Sequence, residues 1–172
     1  MRKVFVSYYH KDDQIYKDGL VKWSEQNKVF IDGSVDTGDI DEYLPAERIY
    51  QIIRDEYLRD TSVTIVLLGL NTKKRKHVDR EIGSSLRDTG KNPRSGLVII
   101  LLPEFVRSFG TNITQQNSGE RIYDNVKNGY AVVIEWDKSS SQNLKSLIDK
   151  AYSNKAIINP DNSAPFRTRN SE

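Results

Sequence analysis

The chain contains no cysteine, which excludes disulfides, thiolate metal sites and a cysteine nucleophile together. A reducing, cytoplasmic setting fits that absence. Histidine is scarce as well: the two present, His10 and His77, are far apart in sequence, so neither a zinc centre nor any other metal site is expected. Long hydrophobic runs are missing. After Met1-Arg2-Lys3 the run Val4-Phe5-Val6 is far too short for a signal peptide or a membrane span, and no membrane association is expected. Charge of one sign is missing too, with 26 basic against 24 acidic side chains and a net +2. That balance argues against a nucleic-acid binder whose affinity rests on phosphate neutralisation. Internal repeats, low-complexity stretches and domain linkers are also absent.

What is there suits one well-packed domain: 172 residues, 37% hydrophobic and 29% charged. Lys3 to Ser7 reads as a first strand. Ile15, Tyr16, Leu20 and Trp23 follow at helical spacing, with Asp12 or Asp13 placed as a cap. A second strand is expected at Lys28 to Ile31, then an acidic loop from Asp32 to Glu42. Pro45 marks a helix start, and Ile49, Ile52, Ile53 and Tyr57 its buried stripe. Ser62 to Gly69 and Ser95 to Leu102 are nearly continuous apolar runs, the pattern of strands covered on both faces. Val78, Ile82 and Leu86 give a helical stripe between them. Residues 103–129 are polar and Gly/Asn-rich, and read as a variable insertion or long loop holding a short helix. Tyr130 to Trp136 is a fifth strand; Leu144, Leu147, Ile148 and Ala151 close the domain with a helix capped within Ser139 to Ser141. Residues 1–154 thus form the domain, and 155–172 a polar, partly extended tail.

Strands alternating with helices imply parallel pairing and right-handed crossovers. The expected class is α/β: a flavodoxin-like three-layer domain with a central, mainly parallel five-stranded sheet flanked by helices. Such sheets place ligands at the carboxyl ends of their strands, which selects Ser7 to Asp13, Asp32 to Glu42 and Leu70 to Glu81. No Gly-rich phosphate loop follows the first strand; Ser7-Tyr8-Tyr9-His10-Lys11-Asp12 stands there instead, excluding an ordinary dinucleotide fold or a P-loop NTPase. A response-regulator receiver needs a phosphoacceptor aspartate ending the third strand, where this chain has Gly69 and Leu70.

The residues that remain resemble a TIR domain. Val4-Phe5-Val6-Ser7-Tyr8 with His10-Lys11-Asp12-Asp13 looks like that family's opening strand and turn. Val29-Phe30-Ile31-Asp32 looks like its second strand, leading to a variable loop. Asp60 to Gly69 followed by His77-Val78-Asp79-Arg80-Glu81-Ile82 is the most specific part, and it is most similar to the TIR-like ThsB-type proteins of bacterial Thoeris anti-phage systems. The resemblance covers about residues 3–102. It implies an NAD-consuming enzyme of the nucleosidase or cyclase type, in which the glutamate of an aromatic-Val-x-x-Glu-Ile motif cleaves the nicotinamide-ribose bond. Glu81 is the matching position, and NAD is then a substrate rather than a cofactor. His77 stands where a tryptophan is frequent. The implied product is a cyclic ADP-ribose isomer or an ADP-ribose conjugate that diffuses to a separate effector protein.

One carboxylate suffices for that chemistry. Glycosidases pair a stabilising carboxylate with an acid for the leaving group, but the nicotinamide of NAD is already cationic and leaves neutral. Ser7, Tyr8, Tyr9, Asp32, His77 and Arg80 are the candidate substrate contacts beside Glu81. One of the two tyrosines is expected to point to the core. Asp32 follows its strand directly and could reach a ribose hydroxyl. Lys73-Lys74-Arg75-Lys76 is either a solvated face or an attraction for pyrophosphate. Plainer readings stand beside these. An acid near a helix start gains about 0.3–1 kcal/mol from the helix dipole with no further role. The acidic loop matches no calcium loop and reads as a solvated lid or a self-association surface. A non-catalytic TIR module that works by assembling with like domains would show the same strands and helices.

Overall fold

The computed structural model describes residues 1–34, 40, 41 and 43–171. Asp36, Asp39 and Glu42 of the expected acidic loop lie outside the described residues, and with them the lid reading. Five strands, β1 (Lys3–Ser7), β2 (Ile31–Asp32), β3 (Val63–Leu68), β4 (Gly96–Leu101) and β5 (Ala131–Glu135), form one sheet in the order β2-β1-β3-β4-β5. Every neighbouring pair is parallel, with Val4 opposite Val63, Val63 opposite Gly96 and Leu97 opposite Ala131. This is the flavodoxin-like order, whose switch point lies between β1 and β3.

The two central strands bury every residue, as their unbroken apolar runs require. Alternation along the strands splits the core in two. Val4, Val6, Ile65, Leu67, Val98 and Ile100 face α1 (His10–Asn27) and α7 (Ser141–Ile157) through Leu20, Leu144 and Ile148. Val66, Leu68, Leu97, Ile99 and Leu101 face the other layer, where α3 (Lys76–Ser85) contributes Val78 and Ile82. Each such side chain contributes roughly 1.5–3 kcal/mol by leaving water. A third cluster, of Phe5, Ile49, Tyr50, Ile53 and Leu58, seats α2 (Ala46–Ile52) and the π-helical turn Ile53–Tyr57 that prolongs it. Gly96 at the start of β4 is required by packing: a Cβ there would stand 2.4 Å from the Ala151 carbonyl oxygen of α7. No helix among the described residues is long and apolar enough to cross a membrane.

Several expectations need correction. Helix α1 starts at His10 with Tyr9 as N-cap, so Asp12 and Asp13 sit in its first turn rather than capping it. Ile15 is 77% exposed, because the apolar stripe of α1 is narrower than its periodicity suggested. The second strand is shorter and later than expected, since Lys28 adopts a left-handed conformation that ends α1. In α2 the buried stripe runs through Tyr50, Arg54 and Leu58 rather than Ile52 and Tyr57. The π turn shifts the helical phase: the Leu58 N–H bonds the Ile53 carbonyl five residues back. Residues 103–129 form no long loop but α4 (Pro103–Phe109), α5 (Gln115–Ser118) and α6 (Glu120–Lys127), with Phe105 and Ile122 completing the second core cluster. Helices this short show little periodicity, although the Thr114–Asn117 capping box does announce α5.

The tail also differs from expectation. α7 runs on to Ile157, and residues beyond it fold back over α3 instead of extending. Asn162 Nδ2 donates to the Gly83 carbonyl at 3.0 Å, the Arg167 N–H donates to Asp79 Oδ2 at 2.7 Å, and the Ser171 N–H donates to the Lys74 carbonyl at 3.0 Å. Ile158 packs on the second core cluster, and the largest apolar anchor of this strap is Phe166. Its ring stacks on Tyr50 with centroids 3.4 Å apart and covers Gly83.

Candidate active site

Ser7 ends β1, the strand at the switch point, and is fully buried. Its hydroxyl donates to Glu81 Oε1 at 2.7 Å. Glu81 comes from α3, which buries Ser84 and Ser85 beside Val78 and Ile82. Ser85, one turn after Glu81, donates its hydroxyl to the Glu81 carbonyl at 2.8 Å and shares a 2.7 Å hydrogen bond with Thr64 of β3. Ser84 and Ser85 are fully buried, so the helix can lie close to the sheet and bring a carboxyl group against the end of β1. Glu81 itself is 3% exposed.

His77 lies one turn before Glu81 on the same helix, so both project from one face. Its Nε2 stands 3.2 Å from the Tyr8 carbonyl oxygen. The His77 ring meets His10 edge-on at 5.1 Å, and His10 stacks on Tyr8 at 4.5 Å. The two tyrosines divide as expected. Tyr8 is buried in the first core cluster with its hydroxyl donating to Gln14, whereas Tyr9 is half-buried under the Arg75 guanidinium, 4.5 Å from its ring centroid. Ser7, Tyr8, His77 and Glu81 therefore form one constellation, with Tyr9 at its border.

Asp32 and Arg80 stand apart from it. Asp32 pairs in register with Val4, so its backbone is near, but its Oδ2 is 3.3 Å from Lys17 Nζ and its Oδ1 accepts the Ser34 N–H at 2.9 Å. Arg80 is half-buried one residue before Glu81 on α3, so it projects roughly 100° away around the helix. A cavity of about 430 Å3 adjoins α3, but Val78, Asp79 and Ile82 line it and Glu81 does not. The open space beside α3 and its buried acid are on different faces.

Sequence reasoning missed two groups near this edge. Ser34 accepts the Val6 N–H through its hydroxyl at 2.9 Å, tying the start of the loop after β2 to β1. Asp13 is buried against Gly69, where a Cβ would come within 2.7 Å of Oδ2, and that oxygen has no hydrogen-bond partner among the described residues. Burial, with help from the charges of Asp12 and Glu104, pushes the Asp13 carboxyl up to about 7. Glycine where a receiver would carry its aspartate was the available signal: it leaves room for a side chain arriving from elsewhere.

Residues 5–108, more than half of the chain, match the family model described as Thoeris protein ThsB, TIR-like domain. No curated protein sequence matches the chain. Among solved structures, the chain is similar to the TIR domains in a structure of the activated Roq1 resistosome directly recognizing the pathogen effector XopQ. That likeness has 14% identity, covers 89% of this chain and 84% of the other, and has a TM-score of 0.41. It is too distant to bear on function.

Proposed function

The chain belongs to the TIR-like domain family of Thoeris protein ThsB, and from that premise we propose that it cleaves the nicotinamide–ribose bond of NAD. The carrying observation is a glutamate buried at the carboxyl edge of the sheet and held by the hydroxyl that ends β1. In the proposed reaction the C–N bond breaks with its electron pair passing to nicotinamide, which leaves neutral. The ribosyl carbon becomes oxocarbenium-like, and the Glu81 carboxylate stabilises that developing charge from a fixed position. Ser7 orients the carboxylate. His77, beside the Tyr8 backbone carbonyl, borders the place where a planar ring would lie, and Tyr9 flanks it.

The nucleophile that then attacks decides the product. Water would give ADP-ribose and a proton; a nitrogen or hydroxyl of the substrate itself would give a cyclic isomer. Family membership favours a signalling nucleotide that activates a separate effector in anti-phage defence. Incubating the protein with NAD, with and without phage-infected lysate, and measuring the product mass tests this reading. A mass lacking nicotinamide supports it; unchanged NAD under every condition contradicts it.

One observation favours a second reading, a non-catalytic module that acts by assembling with like domains. Glu81 is 3% exposed, and the cavity beside α3 lies elsewhere. Under that reading, sedimentation shows concentration-dependent self-association while NAD stays intact.

A further inference from the structure

The cleft of about 430 Å3 beside α3 lies between that helix, the start of α6 and the returning tail. We propose that it is a binding site for a small phosphorylated ligand of nucleotide size, separate from the Glu81 site. Nothing in this assignment requires NAD cleavage.

Its charge is the first ground. Lys73, Arg75, Arg121, Arg167 and Arg169 line it, against only Asp79 and Glu120. Arg121 and Asp79 neutralise each other, with Nε 3.1 Å from Oδ1. The other Asp79 oxygen takes the Arg167 backbone N–H. Four cations are left facing Glu120, which is exposed at the mouth of α6. None of the four forms an ion pair with a carboxylate among the described residues. A cleft lined by one sign of charge concentrates the opposite ion.

Donors without partners are the second ground. Gly119 is the N-cap of α6 and offers no side-chain cap, so the first-turn N–H groups of that eight-residue helix are uncapped beside the cavity. Phosphate oxygens satisfy such backbone donors.

The lining also includes the apolar side chains Val78, Ile82, Ile122 and Phe166. The Phe166 ring is fixed between Tyr50 and the Arg121 guanidinium, 4.4 Å away. Cationic and apolar side chains together, in a volume within the roughly 300–1,000 Å3 usual for small-molecule sites, suit an organic phosphate rather than a bare ion. Such a ligand would bridge the strap, through Arg167 and Arg169, to the segment entering α3, through Lys73 and Arg75.

AMP is the probe, with adenosine and inorganic phosphate as controls, read by calorimetry and thermal unfolding of the full chain. AMP is expected to bind and raise Tm, more tightly than either control. Lys73→Ala with Arg169→Ala is expected to weaken AMP binding at least about tenfold, and Arg169→Lys to retain it. Both altered residues lie at the surface, and an unchanged far-UV spectrum checks that the fold persists. Glu81→Gln is expected to bind AMP like the wild type. The assignment is overturned if millimolar AMP gives neither heat nor a Tm shift, if the double variant binds normally, if adenosine or phosphate binds as well as AMP, or if Glu81→Gln abolishes binding.

Discussion

At the scale of single residues, Glu81 decides the most. A helix dipole rewards an acid in the first turn, and in α3 that acid is Asp79, with Glu81 two residues further in and buried. Burying a carboxyl group costs more than a dipole returns, so its burial needs another reason. The hydrogen bond from Ser7 is one such reason. Ser7→Ala is expected to slow nicotinamide release about tenfold by freeing the carboxylate, while Glu81→Gln loses two to three orders of magnitude. Both are read by chromatography of nicotinamide. Asp13 gives a prediction about pH. Its carboxyl rises from 3.8 to about 7 through burial and the neighbouring Asp12 and Glu104. Below the lower value both folded and unfolded chains hold the proton, and Asp13 costs nothing. Between the two values only the folded chain keeps it, so the group's contribution to stability falls as pH rises, and the loss is complete above about 7. Asp13→Asn is therefore expected to gain in Tm relative to the wild type as pH goes from 4 to 8. A constant difference would contradict that account.

Among the elements, the strands and long helices were legible because their patterns are physical. Ser62 to Gly69 and Ser95 to Leu102 could only be strands covered on both faces, and the stripe Val78-Ile82 could only face a core. α4, α5 and α6 were not, since seven, four and eight residues give too few turns for a period to show. The site followed the same division. Ser7, Tyr8, His77 and Glu81 lie in patterned segments and meet. Asp32 lies in β2 rather than after it, and pairs with Lys17, a contact that no spacing along the chain reveals. The join between α3 and the strap was invisible for the same reason. A Cβ on Gly83 would fall 2.0 Å from Phe166, so Gly83→Ala should push the ring off Tyr50. Better helix propensity returns about 1 kcal/mol, against about 1–3 kcal/mol for overpacking. The expected result is a lower Tm and faster proteolysis of the tail.

Over the whole molecule, the tail joins the carboxyl-terminal end of the chain to the helix that carries Glu81. Asn162, Arg167 and Ser171 each bond to α3 or to the segment entering it. Removing residues 158–172 is expected to lower Tm and to raise amide exchange in α3 first, leaving β3 and β4 protected. Uniform loss of protection would mean that the strap serves the entire fold. The topology that was readable from strand and helix alternation explains why this helix matters: the order β2-β1-β3-β4-β5 puts the switch point at β1, and α3 delivers its carboxyl group there. The most direct measurement is nicotinamide release from NAD by the full chain beside its Glu81→Gln variant, under the condition that activates it. The account predicts release by the first and a loss of at least about a hundredfold in the second. Equal release by both would contradict it.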